Sequence, residues 1–280
     1  MAEWHDYTTT QDDHTVIGRL RVTRDVHSPQ LNNERDIYVW LPPSYDPTTD
    51  RRYPVLYMHD GQNLFDAHSS FSGEWRVDET ITMLSRDGIE AIIVGVPNNS
   101  DRTTEYNPFN DAYLGQGRGA DYLAFIADTV KPLIDADFLT LRGREHTGLA
   151  GSSMGGLISL YGFFKYPEVF GLCGALSPAY WFGGNALISY VEDAAYIPGK
   201  IYMDIGTQEG VVAQNFPRHL GITQDRMSRF YVTSVRQIKR ILLNKGYTDM
   251  LYVEEEGAPH HESAWARRLP RALRYLLGGR

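Results

Sequence analysis

The run His146-Thr147-Gly148-Leu149-Ala150-Gly151-Ser152-Ser153-Met154-Gly155-Gly156-Leu157-Ile158-Ser159-Leu160 leaves a chain few ways to fold. Apolar residues lead into a turn of small residues, and apolar positions at helical spacing follow, which reads as strand, tight turn and helix. Within it, Gly151-Ser152-Ser153-Met154-Gly155 fits G-x-S-x-G, the pattern of a nucleophile elbow above a parallel sheet. Such a turn forces the serine backbone into a sparsely populated region and crowds strand against helix, so its neighbours must be small. Gly151, Gly155 and Gly156 supply that room. The helix then points its N-terminal amides and positive dipole end at the serine oxygen. A phosphate-binding loop, the rival for any Gly-rich turn, lacks its Lys-Ser/Thr pair, because Leu157-Ile158 follow Gly156.

A chain of 280 residues can bury a sizeable core in one domain, and nothing argues for two. The first 14 residues are an N-terminal extension. A formal charge of −8 without any Lys/Arg-rich run excludes nucleic acid and anionic membranes as expected partners. The expected partner is a small molecule, with a homo-oligomer left open. Cys173 is the single cysteine and lies in an apolar run, so it reads as a buried core thiol in a reducing compartment. Met1 to Asp13 has neither a basic nor an apolar leader region, which predicts a soluble, cytoplasmic protein.

Thr15 to Val26 and Arg35 to Leu41 alternate apolar and polar residues and read as antiparallel edge strands joined by His27 to Glu34. From residue 53 onward strand and helix alternate. Buried-type strands are expected at Tyr53–Met58, Ala91–Val96, Val169–Leu176, Lys200–Ile205 and Met250–Glu255, with helices at Trp75–Arg86, Asp121–Asp137, Thr223–Lys245 and Glu262–Leu277. That alternation predicts an α/β fold with a mostly parallel sheet, antiparallel N-terminal edge strands and helices on both faces. Chemistry in such sheets gathers at the carboxyl ends of the strands.

A serine hydroxyl needs a base beside it, and the base needs an acid to fix its tautomer. In the hydrolase version of this fold, acid and base follow the serine in that order. Of nine histidines only His219, His260 and His261 come later. His260, after the last strand in Gly257-Ala258-Pro259-His260-His261-Glu262, is the expected base, and His261 starts the helix. Glu209, just past a strand, is favoured as the acid, with Asp204 inside that strand as the open alternative. A metal site at His260-His261-Glu262 is not expected, since adjacent residues seldom point at one ion, and no cofactor is implied. The expected oxyanion donors are the amides of Met154 and of Gln62, where Gly61 allows close approach.

These segments together, with Tyr53 to Asp66, Leu176-Ser177-Pro178-Ala179-Tyr180-Trp181 and Gly206-Thr207-Gln208-Glu209, resemble the esterase D-like α/β-hydrolases from about Arg35 to the C-terminus. That group includes feruloyl, acetylxylan and enterochelin esterases, S-formylglutathione hydrolases and mycolyltransferases. The resemblance implies an α/β-hydrolase fold, with Ser153, Glu209 and His260 at triad positions and Gln62 with Met154 at oxyanion positions. Many members carry Asp where Glu209 stands. The implied activity is hydrolysis of a small or aromatic carboxylic ester, with a feruloyl or acetyl carbohydrate ester or an enterochelin-type siderophore as the alternative substrate. Its rivals are acyl transfer or thioester hydrolysis with the same residues, and a catalytically dead binding module. Arg102 is the obvious cation for an anionic ligand, Tyr106 and Trp181 are expected pocket walls, and 178–199 is a candidate lid.

Overall fold

The computed structural model describes residues 2–8, 14–110, 115–212 and 222–279, so His219 and part of the expected N-terminal extension lie outside the described residues. Its strands are β1 (His5–Asp6), β2 (Arg19–Ser28), β3 (Asn33–Leu41), β4 (Val55–His59), β5 (Ile92–Val96), β6 (Thr147–Ser152), β7 (Leu172–Leu176), β8 (Lys200–Val212) and β9 (Leu251–His260). They form one sheet in the order β1-β2-β3-β5-β4-β6-β7-β8-β9. Pairing is antiparallel from β1 through β3 to β5 and parallel from β5 to β9.

The central strands read as unbroken apolar runs because both faces are covered. Along β4, Val55 and Tyr57 join one apolar layer and Leu56 and Met58 the other. The first layer packs on α5 (Met154–Lys165) and α7 (Gln224–Lys245), through Leu157, Leu160, Val235, Ile238 and Leu242. The second packs on α1 (Val77–Ser85) and α8 (Glu262–Leu277), through Ile81, Leu84, Leu269 and Leu273. Cys173 lies inside β7 with no exposed surface, and burial pushes its thiol pKa well up.

Three expectations shift. The expected helix 121–137 begins as α3 (Gly119–Ala124), widens into π-helical turns at Phe125–Val130 and ends as α4 (Lys131–Asp137). The widening precedes Pro132, which has no amide to donate to the preceding turn. The strands expected to stop at Ile205 and Glu255 run on to Val212 and His260, pairing through two register shifts. The candidate lid at 178–199 contains α6 (Ala186–Asp193), which sinks Leu187, Ile188 and Val191 into the core.

Candidate active site

Ser153 stands between β6 and α5 at φ 55° and ψ −121°, a backbone conformation that a residue with a Cβ rarely adopts. Its amide donates to Leu176 O at 3.0 Å, and its carbonyl accepts from Leu157 N at 3.1 Å and Ala179 N at 2.9 Å. The surrounding chain therefore holds the strain in place. A Cβ on Gly151 would meet His59 Cδ2 and the Gly155 backbone at 2.9 Å, and one on Gly156 would meet Pro178 Cβ at 2.9 Å. Gly155 has slack of its own, since its Cβ would find nothing nearer than His59 Cβ at 3.4 Å. Beneath the turn His59 is buried, with Nδ1 2.9 Å from the Tyr122 hydroxyl. Burial lowers its pKa to about 4, so this histidine is a neutral spacer at physiological pH.

The register shifts between β8 and β9 bring the later residues to the same rim. Glu209 is fully buried, and its Oε2 lies 2.6 Å from His260 Nδ1. Its Oε1 accepts from the Ser177 hydroxyl and from the Gly206 amide, each at 2.6 Å. The imidazole of His260 is flanked by Tyr231 at 4.7 Å and Trp265 at 5.0 Å between ring centres. With Nδ1 engaged by Glu209, Nε2 is left for the cavity of about 270 Å³ that His260 shares with Ser153.

Asp204 does not reach this histidine. Its Oδ1 accepts from Ser177 N at 2.9 Å, and its Oδ2 accepts from Tyr202 Oη at 2.8 Å and lies 3.0 Å from Arg268 Nε. Arg268 also donates to the Ser177 hydroxyl at 2.7 Å. Burial raises the Asp204 carboxyl to about 6 despite Arg268. Asp204 thus braces the turn after β7, and His261 caps α8 by accepting from Ser263 N at 3.1 Å.

Met154 is the first residue of α5, so its amide has no partner within the helix. Gln62 lies in the 3₁₀ turn Gly61–Asn63, with its side-chain Oε1 accepting from Asn98 N at 3.2 Å. Asp60 and Asn63 of this turn line the cavity. Gly61 is required there, because a Cβ would come within 2.7 Å of the Gly95–Val96 backbone.

Arg102 begins α2 (Arg102–Glu105), a helix fastened to β3 by the buried Arg35–Glu105 pair at 2.9 Å. It lines the cavity, but both of its bonds to Asp60 are 2.7 Å long, so its charge is already met. Burial works against the Asp60 carboxylate, and Arg102 beside it more than offsets this, holding its pKa below the usual range. Tyr106 is fully buried and accepts from Asp60 N at 3.0 Å. It is a brace under the turn and not a cavity wall. Trp181 packs on Tyr231 at 5.5 Å, and Tyr231 in turn packs on the ring of His260.

A family model described as "Putative esterase" matches residues 28–276. The chain belongs to that esterase family. The uncharacterized protein YbbA of Bacillus subtilis is 30% identical over 252 residues, spanning 87% of this chain and 93% of that one. Among solved structures, the BES protein from Bacillus cereus superposes with a TM-score of 0.69 at 20% identity, covering 96% of this chain and 99% of the other. The ferric enterobactin esterase from Salmonella typhimurium gives 0.71 at 17% identity, covering 94% of this esterase and 59% of that chain. The esterase D-like resemblance and the α/β-hydrolase fold expected from the motifs are thereby shown, and ester hydrolysis is the chemistry of the family.

Ser177, Tyr231, Trp265, Asp60, Asn63 and Glu262 of this esterase were not singled out from its sequence. Ser177 carried a signal, because it stands at a strand end between Leu176 and Pro178, and in the structure it takes φ 40°. Tyr231 carried none, being one of two adjacent aromatics on an amphipathic helix. Among the described residues no helix is long and apolar enough to cross a membrane.

Proposed function

We propose that this esterase is a serine carboxylic-ester hydrolase. Ser153 attacks the scissile carbonyl, His260 takes its proton and passes it to the leaving alcohol, and Glu209 orients the imidazole. The same base then releases water to hydrolyse the acyl-enzyme. The single observation that carries this reading is the 2.6 Å contact between Glu209 Oε2 and His260 Nδ1. A carboxylate at that nitrogen favours the tautomer with the ring proton on Nδ1, which leaves the lone pair of Nε2 to act as base. The Met154 and Gln62 amides are the donors for the developing oxyanion, each contributing about 3 kcal/mol of transition-state stabilisation. A cavity of about 270 Å³ with Phe71 and Trp265 in its walls favours a short or aromatic acyl group.

Replacing Ser153 with Ala tests the assignment with 4-nitrophenyl acetate. The expected loss in kcat is about 10⁶-fold with an unchanged melting temperature. A variant as fast as the parent overturns it.

A further inference from the structure

The charged groups around the cavity are not balanced. Asp60 and Arg102 cancel through two 2.7 Å bonds, and His260 is tied to Glu209. Glu262 remains. It is the first residue of α8, it is only 8% exposed, and it lines the same cavity as Ser153 and His260. Among the described residues no Lys or Arg nitrogen pairs with its carboxylate. Gly73 approaches its stem, since a Cβ there would lie 3.6 Å from Glu262 Cβ. Gly73 thus lies against the side chain. Burial raises the Glu262 carboxyl while His261 and His260 act the other way, and Asp60 adds to the rise.

We infer that Glu262 is a specificity-determining residue whose unpaired carboxylate makes the cavity select neutral or ammonium-bearing esters and reject esters that carry a carboxylate near the scissile bond. The inference rests on the proposed hydrolase reading. A like charge brought into a partly desolvated site has neither a counter-ion nor bulk water to screen it, so it costs more there than at the surface. A cation in the same place is attracted instead, less the cost of its own desolvation. Arg102 does not reverse this balance, because the Asp60 carboxylate already binds its Nε–Nη2 edge in a bidentate pair that meets its charge. Discrimination of this kind is set by the repulsive element against the wrong substrate as much as by attraction for the right one.

The test uses three 4-nitrophenyl esters of one acyl length, with a methyl, a carboxylate or a trimethylammonium end, uncatalysed rates being subtracted. For the wild type, kcat/KM for the carboxylate ester is expected to fall at least tenfold below that of the neutral ester, with the cationic ester equal to or above the neutral one. In Glu262→Gln the carboxylate ester should recover at least fivefold relative to the neutral ester, mainly through KM. Asn63→Asp adds a second carboxylate to the same wall, where Asn63 Oδ1 already accepts from Phe71 N at 3.0 Å. It should deepen the discrimination and serves where Glu262→Gln fails to fold. Variants that shift all three esters by one factor overturn the inference and leave the hydrolase reading standing. Equal rates for the wild type and Ser153→Ala overturn the hydrolase reading itself.

Discussion

Ser177 links the two carboxylates that the sequence could not separate. Its amide goes to Asp204 and its hydroxyl to Glu209, while Arg268 donates to that hydroxyl from α8. The side chain therefore holds Glu209 in the position that orients His260. Ser177→Ala is expected to lower kcat about tenfold with KM unchanged, the size of one hydrogen bond lost from the charged acid. An unaltered kcat would remove Ser177 from the positioning chain. Ser153, Glu209 and His260 were legible because motif, chain order and strand ends restrict each of them to one or two residues. Asp204 stayed open beside Glu209 because chain order does not say which side of a strand end faces the rim. Tyr106 misled for a related reason: an aromatic in a long loop reads as a wall until packing shows that it stands beneath the turn.

At the scale of the element, the start of α1 carries an acidic group that the sheet does not need. Asp78 is fully buried, with Oδ2 accepting from Ile17 N at 2.7 Å, and its carboxyl lies against those of Glu74 and Glu79. Burial, with the neighbouring Glu79, raises Asp78 to about 8, so the native state keeps a proton that the unfolded chain releases near pH 4. The stability this proton confers is complete below pH 4 and is lost as the pH rises through 8. Asparagine imitates the protonated acid. Asp78→Asn should melt with the wild type at pH 5 and about 5 °C above it at pH 9. Equal melting curves at both values would show that no proton is held there. The same scale marks the limit of reading strands from periodicity. β8 and β9 run past their apolar cores because two register shifts let polar residues keep pairing, and Gly257-Ala258-Pro259 reads as a turn until that pairing is seen. The ends of α7 are marked by single residues, Thr223 before it, which accepts from Arg226 N at 3.3 Å, and Gly246 after it in the left-handed region.

For the whole molecule, the sheet order decides what meets. β6 lies between β4 and β7, so the Ser153 turn, the Asp60 turn and the Ser177 turn come together at one end of neighbouring strands. Alternation of strand and helix foretold a parallel sheet and could not foretell those neighbours, because adjacency depends on crossovers that leave no local mark. Arg268 shows the consequence, joining α8 to Asp204 of β8 and Glu255 of β9 from a helix face that reads as surface. Cys173 sits at the middle of that assembly, on the strand next to the elbow. Because it is the chain's one sulfhydryl, an aromatic disulfide reagent has a single target, and that target is reachable only when β7 leaves the sheet. Release of coloured thiolate should then track complete opening, giving the same free energy as a denaturant melt. Rapid colour in native buffer would refute this. The protein thus carries a built-in chronometer of its own integrity, usable without any engineered label.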